Sequence, residues 1–188
     1  EMFLGPIEQY KPWDTKGISG VHNFLKKLWK LTHNNKNIFK VSNSEPSEKE
    51  YKSLHKCIAK MSNDLKRFSF NTGVSNLMIC LNELTEMNCN KREIIQNFII
   101  MLSPYAPFIS EEIWEKLGFS TSITKAKWPT LNEKYLKENN HTYPISFNGK
   151  LRFTLKLSTD LTKNDIEKLV LSNTKTIKYL DGKKVKRM

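Results

Sequence analysis

The sequence predicts a mainly α chain: a helical bundle followed by a small α+β domain with a β-hairpin. Three observations carry this. Up to residue 117, apolar side chains recur at spacings of three and four, the period of helices that bury one face. After Gly118 the period drops to two. Tyr143, Ile145 and Phe147, then Leu151, Phe153, Leu155 and Leu157, alternate with polar residues as half-buried strands do. Start and stop signals (Ser47 with Glu50, Pro104, Pro107, Gly118) fall between these runs.

The elements follow in order. Gly17 to Gly20 open a first helix, with Val21, Phe24, Leu25, Leu28 and Leu31 as its apolar stripe and Lys26, Lys27 and Lys30 on the opposite face. The Lys/Asn-rich stretch 33–44 reads as a mobile connector. Ser47 and Glu50 then form a capping-box signature, and Tyr51, Leu54, Ile58, Met61, Leu65 and Phe68 mark a long bundle helix. Asn71-Thr72-Gly73 reads as the break before a third helix carrying Val74, Leu77, Met78, Leu81 and Leu84. Ile94 through Leu102 is apolar almost all round and belongs at the centre. Pro104 stops it, Pro107 suits the first turn of the next helix, and Gly118 suits its C-cap. Glu111 and Glu112 are expected near that helix's positive end.

In the second part, a two-residue Asn148-Gly149 loop would set Ile145 opposite Arg152. The apolar positions are all odd, so their pairing sums must be even. The parity predicts a three-residue loop with Gly149 left-handed and a bulge. Thr162 caps a following helix with Ile166, Leu169 and Val170 inward. Ile177 to Leu180 make a further turn closed by Gly182, and Lys183 to Met188 begin a strand. The domains are read as a linker at 1–16, the bundle at 17–119, a second linker at 120–141 and the small α+β domain at 142–188.

Composition bounds the function. Hydrophobic residues make up 38% and aromatics 11% of 188 residues, enough for a core, and the net charge is +12. The charge is uneven. Residues 1–119 hold 16 Lys+Arg against 13 Asp+Glu, a net of +3, and residues 120–188 hold 15 against 6, a net of +9. A tail this basic points to a polyanion, most commonly nucleic acid. Cys57, Cys80 and Cys89 form no Cys-x-x-Cys pair, which speaks against a zinc knuckle and a disulfide framework and for a reducing, cytoplasmic setting. The longest apolar run, Phe98 to Leu102, is too short for a membrane span, which needs about 20 residues. Without an initiator Met at Glu1, and with Phe3 and Leu4 apolar at the terminus, the chain reads as part of a longer one.

Catalytic constellations are wanting. The seven glycines are scattered and build no phosphate loop. His22, His33, His55 and His141 lack metal-ligand spacing, and His22 and His55 read as surface residues. Glu111 and Glu112, adjacent on a helix, point about 100° apart. What remains is cationic: Lys26, Lys27 and Lys30; Lys52, Lys56, Lys60 and Arg67; Lys150 and Arg152 beside the hairpin turn; and Lys183, Lys184, Lys186 and Arg187. Several such clusters on one chain fit a phosphate backbone. The RNA-binding candidates are Lys26, Lys27, Lys30, Lys60, Arg67, Lys150, Arg152, Lys183 and Lys184. Exposed aromatics for base stacking are not expected, because Trp29, Trp114 and Trp128 all read as structural.

Five strings resemble, in order, the bacterial-type leucyl-tRNA synthetases of class I. They are Glu1-Met2-Phe3-Leu4-Gly5-Pro6-Ile7-Glu8-Gln9-Tyr10-Lys11-Pro12-Trp13, Gly20-Val21-His22-Asn23-Phe24-Leu25-Lys26-Lys27-Leu28-Trp29, Ser69-Phe70-Asn71-Thr72, Leu102 to Trp114 (Leu-Ser-Pro-Tyr-Ala-Pro-Phe-Ile-Ser-Glu-Glu-Ile-Trp), and Phe147-Asn148-Gly149-Lys150-Leu151-Arg152. The fourth is shared loosely with the isoleucyl, valyl and methionyl enzymes; the first and last are more specific. The chain departs at Phe153-Thr154, where the family usually has a Gly soon after the Arg. The resemblance implies a bundle of the anticodon-binding-domain type, followed by part of the small C-terminal domain. It implies a fragment that binds and orients tRNA(Leu) as a monomer, with no cofactor and no catalytic site of its own. ATP and Mg2+ would serve the parent ligase, whose catalytic and editing domains lie outside this fragment. Two rival readings are an isoleucyl or valyl tail and a free-standing helical protein-interaction module.

Overall fold

The computed structural model of the chain describes residues 2–137, 140–158 and 161–180. It divides into two compact units, Glu1–Leu136 and Lys137–Met188.

The first unit is a bundle of five helices: α1 (Ile18–Thr32), α2 (Glu48–Lys66), α3 (Phe70–Glu86), α4 (Arg92–Leu102) and α5 (Pro107–Lys116). The capping box forms as read. The Ser47 amide donates to the Glu50 carboxylate at 2.6 Å, and the Glu50 amide donates back to the Ser47 hydroxyl at 3.4 Å. α4 is central, with Ile94, Ile95, Phe98, Ile99, Ile100, Met101 and Leu102 all buried. Leu28 of α1, Ile58 and Met61 of α2, Leu77 and Leu81 of α3, and Ile113 of α5 close the core around it. Cys57, Cys80 and Cys89 are buried free thiols. Burial, aided by Glu50, pushes the Cys89 thiol up to about 12, so it is protonated and inert.

The α2–α3 break differs from the sequence expectation. α2 ends at Lys66, and Phe68 leaves the helix with φ of 55° and 62% exposure. Asn71, Thr72 and Gly73 lie inside α3. Gly73 is there for a close approach. A Cβ at this position would lie 2.4 Å from the Tyr105 hydroxyl oxygen. That hydroxyl is buried and has no hydrogen-bond partner among the described residues.

The connector 33–44 is packed down. His33, 2% exposed, stacks on Trp29 at 3.8 Å and meets the edge of Phe39 at 5.3 Å. The Lys40 amide donates to the Thr32 carbonyl, and Ser42 bridges to Lys91. Its asparagines, which read as polar filler, build the turn. Asn37 takes φ of 59°, and the Asn34 side chain accepts from the amides of Lys36 and Ile38.

Residues 120–136 also lie against the bundle. The Trp114 indole donates to the Thr121 carbonyl at 2.7 Å, and the Trp128 indole donates to the Ser62 hydroxyl at 2.9 Å. Glu111 is the fifth residue of α5, not part of its first turn. Its carboxylate accepts from the Ile123 amide and the Ser122 hydroxyl, so it caps the short 3-10 turn Ile123–Lys125. The expectation of a surface His55 fails. It is 8% exposed, because the 3-10 turn Glu133–Leu136 folds over it and the Asn132 amide donates to its Nδ1 at 3.2 Å.

The second unit holds a hairpin of β1 (Asn140–Phe147) and β2 (Lys150–Ser158), then α6 (Lys163–Ser172) and α7 (Thr174–Leu180). The expected three-residue loop is not formed. Phe147 pairs with Lys150 across the two-residue turn Asn148-Gly149, with φ of 49° and 78°. The parity conflict is resolved further along. Ser146 faces Leu151 while Ile145 faces Phe153, which leaves Arg152 as the bulged residue. Beyond it the apolar residues pair with one another, Ile145 with Phe153 and Tyr143 with Leu155. Thr162 caps α6 reciprocally with Asp165. Val170 is buried, but Leu169 is 44% exposed and faces outward. The expected Gly182 stop and the strand 183–188 lie outside the described residues.

Two consequences can be measured. Gly73→Ala gains helix propensity, about 1 kcal/mol, but forces the alanine methyl against Tyr105, an overpacking cost of about 1–3 kcal/mol. The single variant is therefore expected to lower the urea midpoint. Adding Tyr105→Phe, which removes the clashing and unpaired hydroxyl, is expected to turn the alanine stabilising. A midpoint raised by Gly73→Ala alone would contradict this packing.

The second concerns pH. Burial holds the imidazoles of His33 and His55 below the usual histidine range, and Lys116 and Lys40 press His33 the same way. The unfolded imidazole titrates near about 6.5, so on acidification the unfolded chain takes up protons first. Stability is complete above about pH 6.5 and is lost as pH falls through the folded values. The urea midpoint should drop between about pH 7.5 and 5.5, and His55→Gln should blunt the drop. A midpoint that climbs over that window rules the account out.

Candidate nucleic-acid interface

α1 turns Leu28 and Leu31 into the core, which leaves Lys26, Lys27 and Lys30 exposed. They do not project singly into solvent. Together with Lys40, Asn23, Leu31, Thr85 and Asn88 they line an open cleft of about 420 Å3. Its walls come from α1, the end of α3 and the packed connector. The Lys27 ammonium is tethered across the cleft, donating to the Asn82 side-chain oxygen of α3 at 2.6 Å. No aspartate or glutamate is among the lining residues. Four ammonium groups around one concave surface with neutral amide and hydroxyl neighbours concentrate positive potential there.

Lys40 was missed in the sequence because it sits in the stretch set aside as a connector. It joins the site only because the connector folds back on the end of α1, a closure that no residue spacing announces. Its position in a Lys/Asn-rich run beside the α1 lysines was the one available signal.

Lys60 and Arg67, the other candidates on the bundle, are not among the residues lining this cleft. Lys60 is exposed on α2, and Arg67 is exposed at its C-cap, where a cation also favours the helix dipole. Lys52 is paired with Glu48 at 2.7 Å. A second cleft, lined by Lys49, Lys52, Ser53, Lys56, Glu83, Glu86 and Met87, mixes both signs and so lacks the one-signed field of the first. In the small unit, Lys150 and Arg152 are exposed beside the turn. The Arg152 guanidinium rests 5.5 Å from the centre of the Tyr179 ring, a cation–π contact that holds the bulged residue in place. Tyr179 in turn packs against Phe147 and Phe153. Lys183 and Lys184 lie outside the described residues.

Trp29, Trp114 and Trp128 pack against the core as read. Exposed rings do occur, against expectation: Tyr10 is 92%, Trp13 69% and Phe108 91% exposed. Tyr10 and Trp13 lie in the N-terminal segment, where no helical period signals burial. Among the described residues no group of three His, Cys, Asp or Glu is placed to hold a metal, and no helix is long and apolar enough to cross a membrane.

Comparison with known proteins fits this geometry. Residues 49–169 match the family described as the anticodon-binding domain of tRNA ligase. Over all 188 residues the chain is 54% identical to a leucine–tRNA ligase of Christiangramia forsetii and 52% identical to one of Parabacteroides distasonis, covering 19% and 20% of those proteins. The chain thus spans about a fifth of the length of the curated relatives it matches. Among solved structures, it resembles the leucyl enzyme of Agrobacterium radiobacter K84 in a ternary complex with tRNA and LeuAMS. The TM-score is 0.71 at 25% identity, covering 99% of this chain and 26% of that one. A bundle of this architecture, matched by the family over most of its helices and by relatives over its whole length, places the chain in the anticodon-binding domain family of tRNA ligases.

Proposed function

We propose that this chain is the tRNA-binding part of a leucine–tRNA ligase, and that it binds and orients a leucine-accepting tRNA. The observation that carries the reading is the cleft of Lys26, Lys27, Lys30 and Lys40, which has four cations and no carboxylate in its lining. Lys60 and Arg67 extend the bundle's contacts, and Lys150, Arg152, Lys183 and Lys184 supply a second set from the small unit. The lysines reach phosphates, which fix position and register without reading sequence. On A-form RNA, recognition of this kind follows backbone and shape. The similarity to leucine–tRNA ligases over the full chain supports leucine as the cognate amino acid over isoleucine or valine.

The chemistry belongs elsewhere in the ligase. The chain's seven glycines are scattered and build no phosphate loop. ATP and Mg2+ serve the parent ligase, whose catalytic and editing domains are the chain's covalent partners. The working unit is a cytoplasmic monomer with no membrane partner.

Filter binding to a leucine-accepting tRNA at two salt concentrations tests the reading. Six phosphate contacts cost roughly a thousandfold in affinity between about 50 and 200 mM salt. Replacing Lys26, Lys27, Lys30 and Lys40 by alanine is expected to flatten the logarithmic salt slope by about 3, with the urea midpoint unchanged. A salt-independent interaction would sink the reading and favour a protein partner. The chain by itself is also expected to give no leucine-dependent pyrophosphate exchange with ATP. Exchange by the purified chain would place a catalytic site within it.

A further inference from the structure

The 3-10 turn Glu133–Leu136 is the last element of the bundle unit, and β1 begins at Asn140. Residues 137–139, three in number, are the chain between these two elements. The turn is held by stacked rings. The Tyr135 ring lies 4.8 Å from that of Tyr51 at 16° and 4.8 Å from that of His55 at 12°. Both partners are themselves fixed. The Tyr51 hydroxyl donates to the Glu93 carboxylate of α4 at 2.7 Å. His55 accepts the Asn132 amide at Nδ1, which requires a neutral ring with its proton on Nε2. The Lys134 ammonium lies 5.8 Å from the centre of the Tyr135 ring. Tyr135 is thereby connected, through two residues one helical turn apart on α2, to the central helix. The next hold upstream of the ring is the Asn132 amide on His55, with Trp128 on Ser62 and the buried Pro129 behind it.

We infer that Tyr135 is a positioning residue: seated on Tyr51 and His55, it fixes where the chain leaves the bundle and so sets the reach of the small unit and its basic hairpin. The inference rests on the reading that both units contact tRNA. If the ring's seat is lost, the last hold on the bundle is the Asn132 amide on His55, and the sequence from there to β1 is residues 133–139, seven residues instead of three. For two binding modules on one tether, effective concentration falls roughly as the −3/2 power of tether length. The longer tether therefore weakens two-unit binding by about 3.5-fold, with no contact to RNA removed.

The test compares wild type, Tyr135→Ala and Tyr135→Phe in the full 188-residue chain. It measures amide hydrogen exchange at residues 130–136, trypsin cleavage after Lys134, and filter binding to a leucine-accepting tRNA across a salt series. The alanine variant is expected to exchange faster at 130–136 and to be cut faster at Lys134, while α2 and α4 keep their protection. Its tRNA affinity is expected to fall about 3.5-fold at an unchanged salt slope. Phenylalanine, which keeps the ring, is expected to restore all three. Deleting residues 133–136 instead keeps the Asn132 hold, returns the chain between it and β1 to three residues, and is expected to recover affinity. Unchanged exchange and cleavage in Tyr135→Ala overturn the inference, as does an affinity loss that comes with a reduced salt slope. If the wild-type chain fails to bind tRNA, the functional reading falls, whereas the exchange and cleavage results still decide whether Tyr135 is the anchor.

Discussion

The burial of α4 is the constraint on which the first unit depends. Its 11 residues include seven buried apolar side chains, worth about 10–20 kcal/mol at about 1.5–3 each. Fixing its backbone costs about as much, at roughly 1–2 kcal/mol per residue. Alone, this helix would neither fold nor stay in solution. It exists because α1, α2, α3 and α5 each turn one apolar stripe toward the core, and a helix that commits one face inward must put its lysines on the other. The cationic surface is thus a geometric consequence of the core.

What the sequence made legible follows the same logic. Wherever a single period ran uninterrupted, the element was readable: the stripe on α1, the capping box of Ser47 and Glu50, the apolar run from Ile94, the caps at Gly118 and Thr162. The failures lie where two local rules competed. Asn71-Thr72-Gly73 has the composition of a break, yet the glycine answers to Tyr105, a residue 32 positions away. At the hairpin the parity argument correctly required apolar residues to face each other. It placed the adjustment in the turn, whereas the chain keeps the two-residue turn that Asn-Gly favours and takes the bulge at Arg152. His55 on α2 looked like a surface residue because its cover, the turn at Tyr135, comes from 80 residues further on.

The candidate site divides along the same line. Lys26, Lys27 and Lys30 could be placed on one helix surface from spacing alone. That they enclose a cleft with Lys40 and the end of α3 could not, because this depends on the connector folding back through the Trp29, His33 and Phe39 rings. Nor could Arg152's place over Tyr179 be read from sequence, since the bulge aims it and the ring comes from α7. Charge counts located the basic regions, but tertiary packing decides which cations act together.

That distinction bears on what the surface can recognise. At physiological salt a free charge is screened beyond about 8 Å, so scattered lysines add little to a specific encounter, whereas four around one concavity act on the same stretch of backbone. A-form RNA keeps its base edges in a deep, narrow major groove that side chains do not read. On the proposed tRNA-binding reading, selectivity comes from geometry: whether a candidate RNA presents phosphates at the cleft and, at the same time, to the hairpin. A molecule that discriminates by shape needs a defined distance between its contact points. On that same reading, the packing of an uncharged ring such as Tyr135 against the bundle bears on recognition alongside the lysines.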